Sequence, residues 1–194
     1  MKLRVRSELV YRFEPPTDAI YQIQVAHWPG QNILDESLTV TPDVSFHEDK
    51  DTEFGARTLR AHLEGEVAVV YEATVDNGLL KGLPPVAVQS DWNDLPAEVL
   101  TYLWPSRYCP SDQFGRFVEK TFKDTDGGER VLAILDWIHD NIEYERGVSD
   151  SETTAARTFI DRAGVCRDFT HLGITLCRAS GIPARAVSAY AHQL

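Results

Sequence analysis

The residue types able to do chemistry converge on positions 164–185. Gly164-Val165-Cys166-Arg167-Asp168-Phe169 opens a helical run that closes at Arg178-Ala179-Ser180-Gly181-Ile182-Pro183-Ala184-Arg185. After Cys166 the apolar residues fall at Phe169, Leu172, Gly173, Leu176 and Cys177, one face at the helical period. Gly181 and Pro183 are stop signals beyond that run, and Arg178 suits the negative end of the helix dipole. Gly164 supplies a sharp turn into the helix. Cys166 therefore stands in a first helical turn, where unpaired N–H groups and partial positive charge favour a thiolate, the form that attacks carbonyl carbon. The neighbouring N–H groups suit an oxyanion. A lone cysteine is usually a small core residue. Here the turn, the helix start and the helix stop occur together and favour a nucleophile.

The elements that must position this cysteine are helical. Asp94 reads as the cap of a helix over 95–103, and Ser111-Asp112 as the start of one reaching Phe122. Gly127-Gly128 precedes a helix over 129–143 with Val131, Leu135, Ile138 and Ile142 on one face. Thr153 or Thr154 begins a short helix ending at Arg162. Residues 186–190 read as a strand.

Before Lys81-Gly82-Leu83-Pro84-Pro85, which reads as a linker, the chain has a different character. Strand-like runs fall at 3–13, 19–28, 33–41, 53–63 and 66–76, broken by Glu14-Pro15-Pro16-Thr17-Asp18, by Pro29-Gly30, by the polar loop at 47–51 and by Glu64-Gly65. This spacing predicts an antiparallel β-sandwich. The fold class expected is thus α+β, with a β-sandwich over 1–82 and a helical core over 83–194. His27, His47 and His62, scattered through the first part, read as structural or surface residues.

The net charge of the 194 residues is −11, which argues against nucleic acid as a partner. Residues 150–194 carry four acids and five arginines, a net of +1, so the remainder carries −12 and the cysteine lies in the one stretch that is not acidic. No apolar run approaches the length that spans a membrane, and the N-terminus lacks the apolar run of a signal peptide, so a cytoplasmic location is expected. The three cysteines, Cys109, Cys166 and Cys177, are an odd number without C-x-x-C, against both a disulfide framework and a zinc site. Cys166 and Cys177 share one helix about 16 Å apart and cannot pair, so Cys177 reads as core.

A thiolate nucleophile needs a base and a group to orient it. His171 is five residues on, about 140° around the helix from Cys166, and reads as structural. His139 lies on the preceding long helix with nothing local to link it to Cys166. His192 follows the expected strand with no element after it to fix it. Asp168 reads as a first-turn carboxylate favoured by the dipole.

Residues 164–172 and 177–190 closely resemble the core of bacterial transglutaminase-like proteins, which are often described as cysteine proteases. Pro105-Ser106-Arg107-Tyr108, the helix carrying Trp137-Ile138-His139-Asp140-Asn141-Ile142-Glu143-Tyr144, and Thr154-Ala155 fit the same pattern, and the β-rich start resembles the N-terminal domain these proteins carry. The resemblance implies a papain/transglutaminase-like core with a Cys-His-Asp triad, His and Asp on successive strands after the nucleophile helix. Cys166 matches the nucleophile; His192 comes too early for the histidine. The expectation is a core truncated before the strands that carry base and acid, with little turnover of its own and an open sheet edge prone to self-association. The parent activity implied is attack on peptide or glutamine-type amides through a cysteine thioester, resolved by water in preference to a second amine, without metal or organic cofactor. A catalytically silent module that binds a protein partner is the competing expectation. No role for Tyr108 or Arg185 follows from their chemistry: a core position and a strand-start ion pair fit as well as a place in the site.

Overall fold

The computed structural model describes residues 1–49, 55–78, 82–84 and 86–190. The chain forms two compact units, Met1–Lys81 with Ser188–Leu194, and Gly82–Val187. Mixed helix and antiparallel sheet is the outcome, as the α+β reading requires. No helix among the described residues is long and apolar enough to cross a membrane.

The first unit is built on β1 (Lys2–Tyr21), β2 (Gln31–Thr41), β3 (His47–Asp49) and β4 (Thr58–Asn77). β4 is central: β1 pairs antiparallel along its whole length, β2 along Ala68–Asn77 and β3 along Thr58–Arg60. Odd-numbered residues of β4 from Leu59 to Val75 point to one side, and Leu59, Leu63, Val67, Val69, Tyr71, Ala73 and Val75 are buried there. Arg6, Glu8 and Glu72 hold the wet face.

The strands expected as a β-sandwich form, among the described residues, one hydrogen-bonded sheet with two 20-residue strands. The breaks read at residues 14–18 and at Glu64-Gly65 are not turns between strands. They face each other across β1 and β4, where the register shifts between Phe13 and Thr17, so both strands continue through a bulge. A second shift lies between Ile33 and Asp35 of β2 and turns Glu36 inward, opposite Ala73.

The second unit carries α1 (Gly115–Thr121), α2 (Gly127–Asn141), α3 (Ala155–Asp161) and α4 (Cys166–Ala179), preceded by short 3-10 turns at Trp92–Asp94, Ala97–Leu103 and Ser111–Gln113. Two short parallel strands, β5 (Glu143–Tyr144) and β6 (Ala163–Gly164), lie between α2 and α4 in the chain. Helix α4 packs on α1, α2 and α3. Leu172 and Leu176 of α4 close over Ile134, Ile138 and Ile142 and over Phe114, Val118 and Phe122.

Two of the local signals act as the sequence implies, and Ser111-Asp112 opens only the 3-10 turn Ser111–Gln113 before α1. Thr154 caps α3, its hydroxyl accepting from the Arg157 N–H. Gly181, at φ +73°, takes the left-handed position after α4, with Ile182 N–H donating to Cys177 O at 2.9 Å. Three expectations differ. Asp94 caps no helix: it lies inside the 3-10 turn Trp92–Asp94, which Asp91 caps, and Ala97–Leu103 is a 3-10 helix with no side-chain cap. On α2 the buried residue is Ile134, fully enclosed, while Leu135 is 53% exposed. The two are adjacent and fit the helical period equally, and the position of α4 selects between them. Residues 182–190 form no strand, because among the described residues no neighbouring strand supplies the pairing that an extended segment requires.

Candidate active site

Cys166 is the first residue of α4 and is exposed. Val165 before it is extended, at φ −106° and ψ 179°, and its carbonyl accepts from the N–H groups of Asp168 at 2.8 Å and Phe169 at 3.1 Å. Those bonds close the first turn. The N–H groups of Cys166 and Arg167 come before it and have no acceptor within the helix.

The chain reaches Cys166 along β6. Gly164 accepts at its carbonyl from Glu145 N–H at 3.0 Å, across from β5. A Cβ on Gly164 would lie 2.7 Å from Asp168 Cβ, so only glycine fits against that side chain. Asp168 itself is fully buried, which the dipole reading of this residue did not foresee. Its Oδ2 accepts from Val165 N–H at 2.8 Å and from the Ser149 hydroxyl, and its Oδ1 from Arg167 Nε at 3.2 Å. Arg167 Nη2 also reaches Ser149 Oγ at 3.0 Å. Burial pushes the Asp168 carboxyl up, but the donors from Ser149, Val165 and Arg167 outweigh it and hold the group below its ordinary value.

His171 projects from α4 against Tyr108, the rings stacked. Its Nδ1 is buried and without a partner among the described residues. Burial lowers its pKa, with Asp168 opposing and Arg167 adding to the shift. The stack and the burial suit a structural role for the ring. His139 is an exposed residue near the end of α2. Among the described residues no histidine hydrogen-bonds to Cys166, and His192 lies outside them. Cys177 is packed against the core, and burial pushes its thiol up to about 11. Among the described residues no three side chains of His, Cys, Asp or Glu gather as a metal site.

The segment before α1 runs along α4. Arg178 stands in the last turn of α4, as its dipole reading requires, and also donates from Nε to Ala184 O at 2.9 Å and from Nη1 to Trp104 O at 2.8 Å. Tyr108 donates to Ser151 O at 2.9 Å, and Arg107 forks onto Glu152 at 2.7 and 2.8 Å. Arg185 donates to the carbonyl of its neighbour Ala186 at 3.5 Å. Sequence reasoning did not single out Ser149. Its signal was weak, a lone serine in a polar loop.

Residues 116–194 match the family model described as the transglutaminase-like superfamily. The chain carries a transglutaminase-like core. Residues 1–83 match the bacterial transglutaminase N-terminal domain, so the β-rich unit and the core each have a counterpart. The transglutaminase-like core and its N-terminal domain together resemble the crystal structure of a "Putative Cysteine Protease" from Cytophaga hutchinsonii, with a TM-score of 0.80 and 38% identity over 94% of this chain and 65% of that one. The chain thus spans just under two thirds of that solved structure. An uncharacterized protein of Mycobacterium leprae is 26% identical over 204 residues, covering 98% of this chain and 71% of that protein.

Proposed function

We propose that Cys166 is the nucleophile of a cysteine-dependent amide hydrolase acting on peptide bonds or glutamine-type carboxamides. The observation that carries this reading is an exposed thiol on the first residue of α4, beside two N–H groups that the helix leaves unused. Likeness at 38% identity to the Cytophaga hutchinsonii "Putative Cysteine Protease" supports the same chemistry.

The reaction this arrangement suits begins with the thiolate adding to the carbonyl carbon. A C–S bond forms, and the oxygen takes the negative charge towards the N–H groups of Cys166 and Arg167. The C–N bond then breaks as the amine leaves with a proton, giving a thioester. Water attacks the thioester, releases the acid and restores the thiol. The proton passes through a histidine that the resemblance places on a strand following the nucleophile helix, a role that neither His171 nor His192 fits.

Acid-quenched mass spectrometry of the protein mixed with glutamine-containing peptides tests this. The expected result is an acyl adduct on Cys166, with ammonia or amine released, and no adduct in Cys166→Ala. Hydrolysis undiminished in that variant would overturn the proposal. Peptides that bind without ever forming the adduct would favour a silent, protein-binding module.

A further inference from the structure

We propose that Asp168, acting with Ser149, is the positioning residue of this site: its buried carboxylate fixes the backbone that leads into α4, and thereby aims the Cys166 N–H at the substrate's carbonyl oxygen. The inference rests on the reading of Cys166 as nucleophile.

A carboxylate placed only to answer a helix dipole has no need of burial. Glu129 occupies the first turn of α2 and is exposed. Asp168 is fully enclosed, which is costly for an ionised group unless donors surround it. Three do, and they come from three places in the chain: Val165 just before the helix, Arg167 on it, and Ser149 in the loop that follows β5. Arg167 closes the ring by also donating to Ser149.

The consequence for Cys166 follows from peptide geometry. The Gly164 carbonyl is held by Glu145 N–H, the Val165 N–H by Asp168 Oδ2, and the Val165 carbonyl by the N–H groups of Asp168 and Phe169. A trans peptide is planar, with its N–H opposite its C=O. The Val165 carbonyl points into the helix, so the Cys166 N–H of the same peptide points out of it. Asp168 thus takes part in that fixation twice, through its side chain on Val165 N–H and through its own N–H on Val165 O. The missing room at Gly164 makes the arrangement stiff, because the strand cannot shift towards Asp168.

Two reagents separate aiming from mere folding. Acylation by p-nitrophenyl acetate forms the C–S bond and expels p-nitrophenolate. It needs the thiolate and a held oxyanion, but no proton for the leaving group. Alkylation by iodoacetamide displaces iodide at an sp³ carbon and makes no oxyanion. In Asp168→Asn the burst of p-nitrophenolate should slow by about 100-fold, the scale of a misplaced reacting group. Iodoacetamide labelling of Cys166, read by peptide mass spectrometry, should stay within about twofold of the native rate. Ser149→Ala, which leaves Val165 N–H bonded, should slow acylation by a smaller factor with the same selectivity, and carries the test if the Asn variant does not fold. Both rates falling together, or neither falling, would overturn the role assigned to Asp168 while leaving Cys166 untouched. A burst of native size in Cys166→Ala would overturn the nucleophile reading and this inference with it.

Discussion

The imidazole of His171 lies flat against the ring of Tyr108, centroids 5.1 Å apart and planes 8° from parallel. Tyr108 is tied by its hydroxyl to Ser151 O and by its own carbonyl to Ala155 N–H, so the stack joins α4 to the start of α3. His171 Nδ1 is enclosed without an acceptor among the described residues, so protonating the ring would bury an unpaired donor along with a charge.

A pH dependence of stability follows from this stack. Burial holds the folded-state pKa of His171 below the ordinary 6.5, with Arg167 adding to the shift and Asp168 opposing it. The neutral ring is the folded form, so its contribution is complete above about pH 6.5 and is lost as pH falls through the depressed folded value. Urea unfolding between pH 8 and pH 5 should show stability falling on acidification. His171→Phe, which keeps the stack, should flatten that fall. An unchanged slope in the variant would refute the assignment.

Gly164→Ala tests the packing beneath Cys166. The added methyl would meet Asp168 Cβ at 2.7 Å, and neither the strand nor the buried carboxylate has room to move. A loss of about 1–3 kcal/mol is expected from calorimetry or urea titration, the usual cost of overpacking. A neutral effect would mean that the start of α4 is looser than its contacts imply.

The three cysteines should label in a fixed order. Cys166 is exposed, Cys109 is 4% exposed, and the Cys177 thiol is pushed up to about 11 by burial. Iodoacetamide at neutral pH should modify Cys166 alone in the folded protein and all three in urea. Labelling of Cys177 at a comparable rate in the folded state would contradict its place against the core.

In the β-rich unit the inward Glu36 meets Arg57 at 2.7 Å, and Arg57 also reaches Glu48 at 3.0 Å. Tyr71 donates to Glu36 at 2.9 Å and accepts from Val25 N–H at 3.1 Å. Arg57→Met should cost about 2–3 kcal/mol, below the full cost of breaking a buried pair because the two carboxylates are 30% and 23% exposed. Adding Glu36→Leu should recover part of that loss. Hydrogen exchange of the β4 amides reads both effects. Equal protection in Arg57→Met and the native protein would show that the network adds nothing to the sheet.

The parts of the site legible in the sequence are those governed by neighbouring residues. Cys166 opens α4, Gly181 closes it, and Thr154 caps α3, because capping and stop signals act through backbone groups three or four residues away. The α+β division was legible for a similar reason: strand and helix periods differ within any ten residues. The strand read at 186–190 failed because a strand is defined by its neighbour, which no local pattern supplies.

By itself, then, the sequence determined that a cysteine would stand at the start of a punctuated helix, and that an apolar face would hold that helix down. Tertiary structure decided the rest. It chose Ile134 over Leu135, carried β1 and β4 through their apparent breaks, and enclosed Asp168 with Ser149, a partner 19 residues away. Periodicity says how often a side chain faces inward but not what it meets there. A buried carboxylate is stabilised only by the donors that folding brings to it.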